Sequence, residues 1–413
     1  MVLLLCLALV GCGTDEDPRA SLEGPDAFVR SPAEAMAGCT TVGARTIARV
    51  AARIYQESLH GRVAMQAAHR LQRSAALITA VQNDDPLAAR QALIEAMKGQ
   101  IVRASVLRDS HLLASVGDSA ALAPVSVPLL DASRGKVGRV ILSTQASKSF
   151  IDTVAQVTAS EVALFHGHRQ LVSSLAGQRV ALSSIPASGP GSYRGVKYQA
   201  SSFSATGFPK QPLRIALLTG SDTLACASTG AQTTADVLGA VGERLYRAEQ
   251  SSHKVTRVIG LMERSHAFLR AVAQRDPFLT RQAIIGFFRN RSHVVRVRVT
   301  VGGRLLVDVG GSEVLAPVAG TLRLHGRVIG HFLTAIQDDA GYEKLAHEFT
   351  GAQVTMQVGS HQLSSTLPGD RAGTVATGRG SATYEGVRYS VYSFAGKAFP
   401  SGRLLISLLV PST

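Results

Sequence analysis

The chain has 413 residues, 46% of them apolar, which excludes wholesale disorder and gives room for two or three domains. Tryptophan is absent and aromatic residues make up 5%, so a core has to be built from Val, Leu, Ile and Ala. The formal charge of +14 is spread along the chain rather than gathered in a block, which speaks for a basic solvated surface and against a nucleic-acid-binding stripe.

Residues 1–12 open with an apolar run of about ten residues, half the length that a membrane-spanning helix needs. The run fits the apolar region of a signal peptide. It closes on Leu9-Val10-Gly11-Cys12, which resembles the lipobox of bacterial lipoproteins. That resemblance implies cleavage before Cys12, acylation of the Cys12 thiol and an extracytoplasmic chain anchored to the cell membrane. Residues 13–38, rich in Gly, Thr, Asp, Glu and Pro at their start, read as a flexible tether. No later stretch is apolar for long enough to cross a membrane.

There are four cysteines. Cys6 leaves with the signal peptide and Cys12 takes lipid, so Cys39 and Cys226 remain as an even pair in an oxidising compartment. They stand at the entry to the first domain and just past its exit. A Cys39–Cys226 disulfide is the expectation, with two buried free thiols as the alternative.

An internal repeat dominates the rest. At an offset of 191, Arg53 and Tyr55 meet Arg244 and Tyr246, and Ser74 meets Ser265. Asp85-Pro86 meets Asp276-Pro277, Tyr193 meets Tyr384, and Phe208-Pro209 meets Phe399-Pro400. The offset drifts between these anchors. Leu122-Ala123-Pro124 matches Leu315-Ala316-Pro317, and Gly138-Arg139-Val140-Ile141 matches Gly326-Arg327-Val328-Ile329. A period this long means two whole domains, 39–222 and 226–413.

Each copy opens with a long helical stretch. Val255, Val258, Met262, Ser265 and Leu269 step by three and four, as do Ala64, Ala67, Leu71, Ser74 and Ile78. The Asp-Pro pair ends that stretch, and Pro starts a short helix. Val294 to Val299 alternates apolar and basic residues as a half-buried strand, Gly302-Gly303 turns the hairpin, and Arg304 to Val309 returns. A strand over Arg327–Ile336 and a helix over Asp339–Phe349, stopped by Gly351, come next. Strands over Ala352–Val358, Arg388–Phe394 and Arg403–Val410 end the copy.

This order predicts an α+β fold: two tandem domains, each a long N-terminal helix plus an antiparallel sheet. It resembles the Cache family of extracytoplasmic PAS-like sensor domains. The amino-acid-binding motif of that family depends on a Trp that this chain lacks.

Catalytic patterns are weak. Ser251-x-x-Lys254 lacks its partner motifs and reads as two polar side chains on the solvent side of the long helix. His166 and His168 read as a polar hairpin tip, and Glu343 with His347 as an ordinary helix-face pair. Gly189-x-Gly191 precedes a strand, so it is no phosphate loop. No enzyme and no cofactor are implied. The resemblance implies a small ligand held on a sheet face. Arg296, Arg298, Arg323, His331, Tyr384, Tyr389 and Tyr392 are the candidates, since Arg and Tyr suit an anionic ligand. Copy one has Ser105 and Leu107 where the 191 offset puts Arg296 and Arg298, so copy two is the expected binder if a single copy binds. The expected partners are a small-molecule ligand, an anionic one among the options, the membrane through the lipid, and a separate membrane signalling protein or transporter, with no nucleic acid. The alternative is a structural or interaction protein of the cell envelope that binds a protein partner or an anionic wall polymer.

Overall fold

The computed structural model describes residues 39–97, 100–175, 185–220, 230–289, 294–368 and 378–412. The signal segment 1–12 with Cys12, the tether 13–38, Cys226 and the Cys39 side chain lie outside the described residues. The described residues fall into two compact units, 39–220 and 230–412.

Unit one begins with four helices: α1 (Cys39–His60), α2 (Arg62–Gln72), α3 (Ala75–Gln82) and α4 (Pro86–Ala96). Six strands follow: β1 (Arg103–Arg108), β2 (His111–Gly117), β3 (Ala121–Leu122), β4 (Val125–Leu130), β5 (Lys136–Ser143) and β6 (Gln145–Ala146). Helix α5 (Ser147–Thr158) leads to β7 (Glu161–His166), β8 (Arg169–Ser173), β9 (Gly189–Tyr193), β10 (Val196–Gly207) and β11 (Gln211–Gly220).

Unit two repeats the series. Its helices are α6 (Gly230–Ser251), α7 (His253–Arg264), α8 (His266–Ala273) and α9 (Pro277–Arg289). Strands β12 (Arg296–Val301), β13 (Arg304–Gly310), β14 (Val314–Leu315), β15 (Val318–Leu324), β16 (Arg327–Ala335) and β17 (Gln337–Asp338) follow. Helix α10 (Asp339–Thr350) precedes β18 (Gln353–Val358), β19 (His361–Ser365), β20 (Gly380–Tyr384), β21 (Val387–Ala398) and β22 (Gly402–Pro411).

The class is α+β in two tandem units, each with its helices first and its strands antiparallel. The pairing is finer than one sheet per copy. Each unit divides its strands between a four-stranded sheet, β2-β1-β5-β4 or β13-β12-β16-β15, and a larger one. The larger sheets run β6-β3-β10-β11-β7-β8, with β9 on β10, and β17-β14-β21-β22-β18-β19, with β20 on β21. Helices α2–α4 cover one face of the first small sheet: Ala67, Leu71, Leu77 and Leu93 bury against Ala104, Val106, Val140 and Leu142. Helices α7–α9 do the same in unit two, where Val255, Val258, Met262 and Leu269 meet Val297 and Val299.

The long helical stretch is not one helix. Ser265 ends α7 and caps α8, its backbone extended at φ −76° and ψ 99° and its hydroxyl accepting from the Phe268 N–H. Ser74 likewise accepts from Leu77 N–H at the head of α3. The heptad-like stripe is real as a buried face, but the serine in it is a cap, because its hydroxyl competes for backbone N–H groups. Asp85 caps α4 in the same way, taking the N–H groups of Leu87 and Ala88. Gly351 ends α10 with φ +68°.

Strand register corrects two of the sequence matches. Helix α9 has 13 residues and α4 has 11, so the offset between copies rises from 191 to 193 before the first strand. Arg103 then stands opposite Gly117 as Arg296 stands opposite Gly310, and both strands carry a bulge at the same place, Val106/Leu107 and Val299/Thr300. The counterpart of Arg296 is therefore Arg103, not Ser105. In β5 and β16, Arg139 pairs with Leu107 as His331 pairs with Thr300. Gly138 thus corresponds to Gly330, and its likeness to Gly326 is coincidental. A Cβ on Gly138 would lie 2.6 Å from Leu107 O and 2.9 Å from Val81 Cγ1. On Gly330 it would lie 2.7 Å from Thr300 O and 3.3 Å from Val272 Cγ1.

Candidate functional site

Alternation along β1 sends Ala104 and Val106 into the helix-covered core and turns Arg103, Ser105 and Leu107 to the opposite face. On that face lies a cleft of about 480 Å³, within the range of small-ligand pockets. Its floor is Arg103, Ser105 and Leu107 of β1, Ser115 of β2, and Arg139 and Ile141 of β5. Its wall is the turn between β10 and β11, Phe208-Pro209-Lys210, reached over from the larger sheet. Phe208 is buried against Ala121 and Ile141, which joins the two sheets at this point. The turn is held by backbone bonds from Phe208 N to Ala121 O and from Ala123 N to Thr206 O.

A second tie comes from α1. The Tyr55 hydroxyl donates to Thr206 O at 3.1 Å and accepts from Thr206 N at 2.8 Å. Tyr246 does the same with Lys397 in unit two. This is the physical reason for the repeated Tyr: it fixes the strand just before the Phe-Pro turn.

The lining is cationic. Arg103, Lys136, Arg139 and Lys210 face a single carboxylate, Asp109. The Arg103 guanidinium carbon sits 4.8 Å from the Phe208 ring centre, in cation–π range. Its Nη1 donates to Asp118 O at 3.2 Å, whereas its Nε is buried with no hydrogen-bond partner among the described residues. A guanidinium N–H left in that state favours an added acceptor. Ser105 and Ser115 bond to each other at 2.7 Å. At the lip, Asp109 and Ser110 turn the hairpin with φ +45° and +80°, where unit two uses Gly302 and Gly303. Positive φ on a serine is strain, and it sits at the cleft.

The sequence-predicted residues fall into separate groups. Arg296, Arg298 and His331 lie on the equivalent small sheet of unit two, at the places of Arg103, Ser105 and Arg139. Arg296 is engaged: Nε and Nη2 donate to the two carboxylate oxygens of Asp308 at 2.8 and 3.1 Å. Nη1 reaches Gly311 O and Ser312 O. Arg298 stands 3.7 Å from the same carboxylate. His331 contacts Thr321, and Arg323 contacts Gly326 O at the exposed end of β15.

Tyr384, Tyr389 and Tyr392 belong to the larger sheet instead. Tyr384 donates to Pro368 O. Tyr389 is buried with Val391 and Leu409, and that burial raises its pKa. Tyr392 lies against α6, with its hydroxyl 3.4 Å from Glu243. The seven do not form one site. The expectation that copy one has no arginine at this place is corrected by the register, since Arg103 occupies it.

Sequence reasoning missed Arg103, Ser115, Lys136, Lys210 and Phe208 as a group. The signal was available in the 193 offset of Leu122 and Leu315, which applies to β1 as well. Among the other weak patterns, His347 Nδ1 donates to Ala352 O, and Ser251 donates to Arg247 O. No cluster of three metal-ligating side chains occurs among the described residues. No helix among them is long and apolar enough to cross a membrane.

No protein-family model matches the chain, and no curated protein matches it. Two solved structures of the periplasmic domain of Vibrio cholerae LuxQ are similar to it. Each is 11% identical and covers 44% of this chain, with 99% and 98% of its own length covered and TM-scores of 0.30 and 0.27. A likeness this loose fixes neither a ligand nor a partner.

Proposed function

We propose that this chain is an extracytoplasmic binding protein for a small anionic ligand, anchored through Cys12, and that unit one is its binding unit. The observation that carries the reading is the cleft over β1, β2 and β5, where four cations face one carboxylate and a buried Arg103 Nε has no hydrogen-bond partner among the described residues. Cations in a concave, partly apolar wall concentrate anions from solution. Phe208, Leu107 and Ile141 supply the apolar side, and Arg103 and the serine pair supply direction. Nothing in this scheme needs a reactive group, so binding rather than catalysis is the proposal. A sensing role follows if the bound state is passed to a separate membrane signalling protein or transporter.

The test is a thermal-shift screen of the full chain against small carboxylates, phosphate, sulfate, neutral sugars and amines at matched ionic strength. A ligand that binds only the native state raises its melting temperature. At least one anion is expected to stabilise the wild type and to lose its effect in Arg103→Ala. Stabilisation by neutral or cationic compounds alone, or an Arg103→Ala variant that responds like the wild type, refutes the reading.

A second reading, an interaction protein of the envelope, has one observation in its favour. Leu87 and Phe278 occupy equivalent places after the helix-starting prolines and are 79% and 65% exposed. Under that reading Leu87→Glu with Phe278→Glu releases the chain from its envelope partner and leaves anion binding unchanged.

A further inference from the structure

The two copies hold the same arginine in the same frame and differ in what faces it. Arg103 and Arg296 share a strand register, a bulge, and a ring 4.8 Å away, Phe208 or Phe399. Their Nη1 atoms donate to equivalent carbonyls, Asp118 O and Gly311 O. The remaining edge of the guanidinium, Nε with Nη2, is where they part. In unit two that edge grips both oxygens of Asp308. In unit one the residue at the Asp308 position is Ser115, whose hydroxyl is turned to Ser105, and the Arg103 Nε has no acceptor among the described residues.

We propose that Asp308 is a built-in substitute for the ligand: unit two carries on its own strand the carboxylate that unit one takes from solution. This rests on the anion-binding reading of the unit-one cleft and adds its stoichiometry and its chemistry. The chain takes one ligand, in unit one, and the group that Arg103 recognises is a planar two-oxygen anion held side-on by Nε and Nη2, as Asp308 is held. The reciprocal changes agree with this. Arg298, which stands 3.7 Å from Asp308, is Ser105 in unit one. Unit two therefore has a closed ion cluster where unit one has one arginine and two neutral hydroxyls.

The experiment titrates the full chain with acetate against chloride at constant ionic strength, reading the melting temperature and the acetate NMR line width. The wild type is expected to show one saturable site. Ser115→Asp puts the carboxylate of unit two into unit one and is expected to weaken acetate roughly tenfold or more, since it fills the edge and repels the anion. Asp308→Ser is expected to gain a second saturable site. Should that variant fold poorly, Arg298→Ser with Asp308→Ser reproduces the unit-one pair and keeps the charge balance. Acetate binding by Ser115→Asp at wild-type strength, or no second site in a folded double variant, overturns the proposal and leaves the anion-binding reading intact. A wild type that answers to phosphate and not to acetate overturns the carboxylate assignment in the same way. A wild type that answers to neither overturns both.

Discussion

Replacing Tyr55 by Phe removes one oxygen atom from a buried junction. Tyr55 is 4% exposed, and its ring packs edge-on to Phe150 and Phe203 with centroids 6.2 and 6.4 Å away, contacts that Phe keeps. What is lost is the hydroxyl that donates to Thr206 O and accepts from Thr206 N. Thr206 O retains a bond from Ala123 N. Thr206 N loses the acceptor that the Tyr55 hydroxyl supplies. An orphaned buried N–H costs about 1–3 kcal/mol, so the variant is expected to lose about 2 kcal/mol. For a unit of this size that lowers the melting temperature by about 4–8 °C. Because Thr206 leads into the Phe208 turn, anion affinity at the cleft should also fall, whereas Tyr246→Phe should destabilise unit two equally and leave the affinity alone. Urea unfolding followed by circular dichroism, with ligand titration of both variants, checks this. A Tyr55→Phe variant within about 0.5 kcal/mol of the wild type would refute the claim that this hydroxyl ties helix to strand.

Three other outcomes follow from the same geometry. Gly138→Ala, with a Cβ 2.6 Å from Leu107 O, and Gly330→Ala, 2.7 Å from Thr300 O, should each cost about 1–3 kcal/mol in chemical unfolding, against little for Gly326→Ala beyond its turn strain. Ser110→Gly relieves the φ of +80° at the cleft lip and should stabilise unit one by about 1 kcal/mol. Asp339 is pushed up from 3.8 to about 6, first by its burial and then by Glu313 and Asp338, against a backbone hydrogen bond from Ala340 that pulls it down. A carboxyl with a raised native pKa holds its proton better when folded. Stability is thus greatest below the unfolded value and falls as pH rises through that window to a plateau above about 6. After solvent screening, about 1 kcal/mol is expected between pH 4 and 7, and Asp339→Asn should flatten that slope in urea titrations.

The duplication, the order of elements and the class were legible in the residues. Period-two alternation at Val294–Val299 and the stripe through Val255 and Met262 report burial on one side, which is a local property. Ser74 and Ser265 were harder, because a small polar residue in a stripe looks the same whether it continues a helix or caps the next. The division of strands into two sheets was not legible either. It depends on which strand ends accept which partners, and β3, β6, β14 and β17 are two residues each, too short to carry a period.

The sequence by itself determined that one folding unit occurs twice, and which faces of its helices and strands are apolar. Hydrophobic burial is written in short-range periodicity and survives a small error in alignment. Only the tertiary structure decided which charged side chains gather around one cleft. Arg103 meets Phe208 and Lys210 across more than a hundred residues, and the two-residue difference between α4 and α9 settles whether it is the partner of Arg296. The meaning of a charge on a strand depends on what stands opposite it, and that is a matter of register. A serine in one copy and an aspartate in the other separate an open cleft from a closed ion pair.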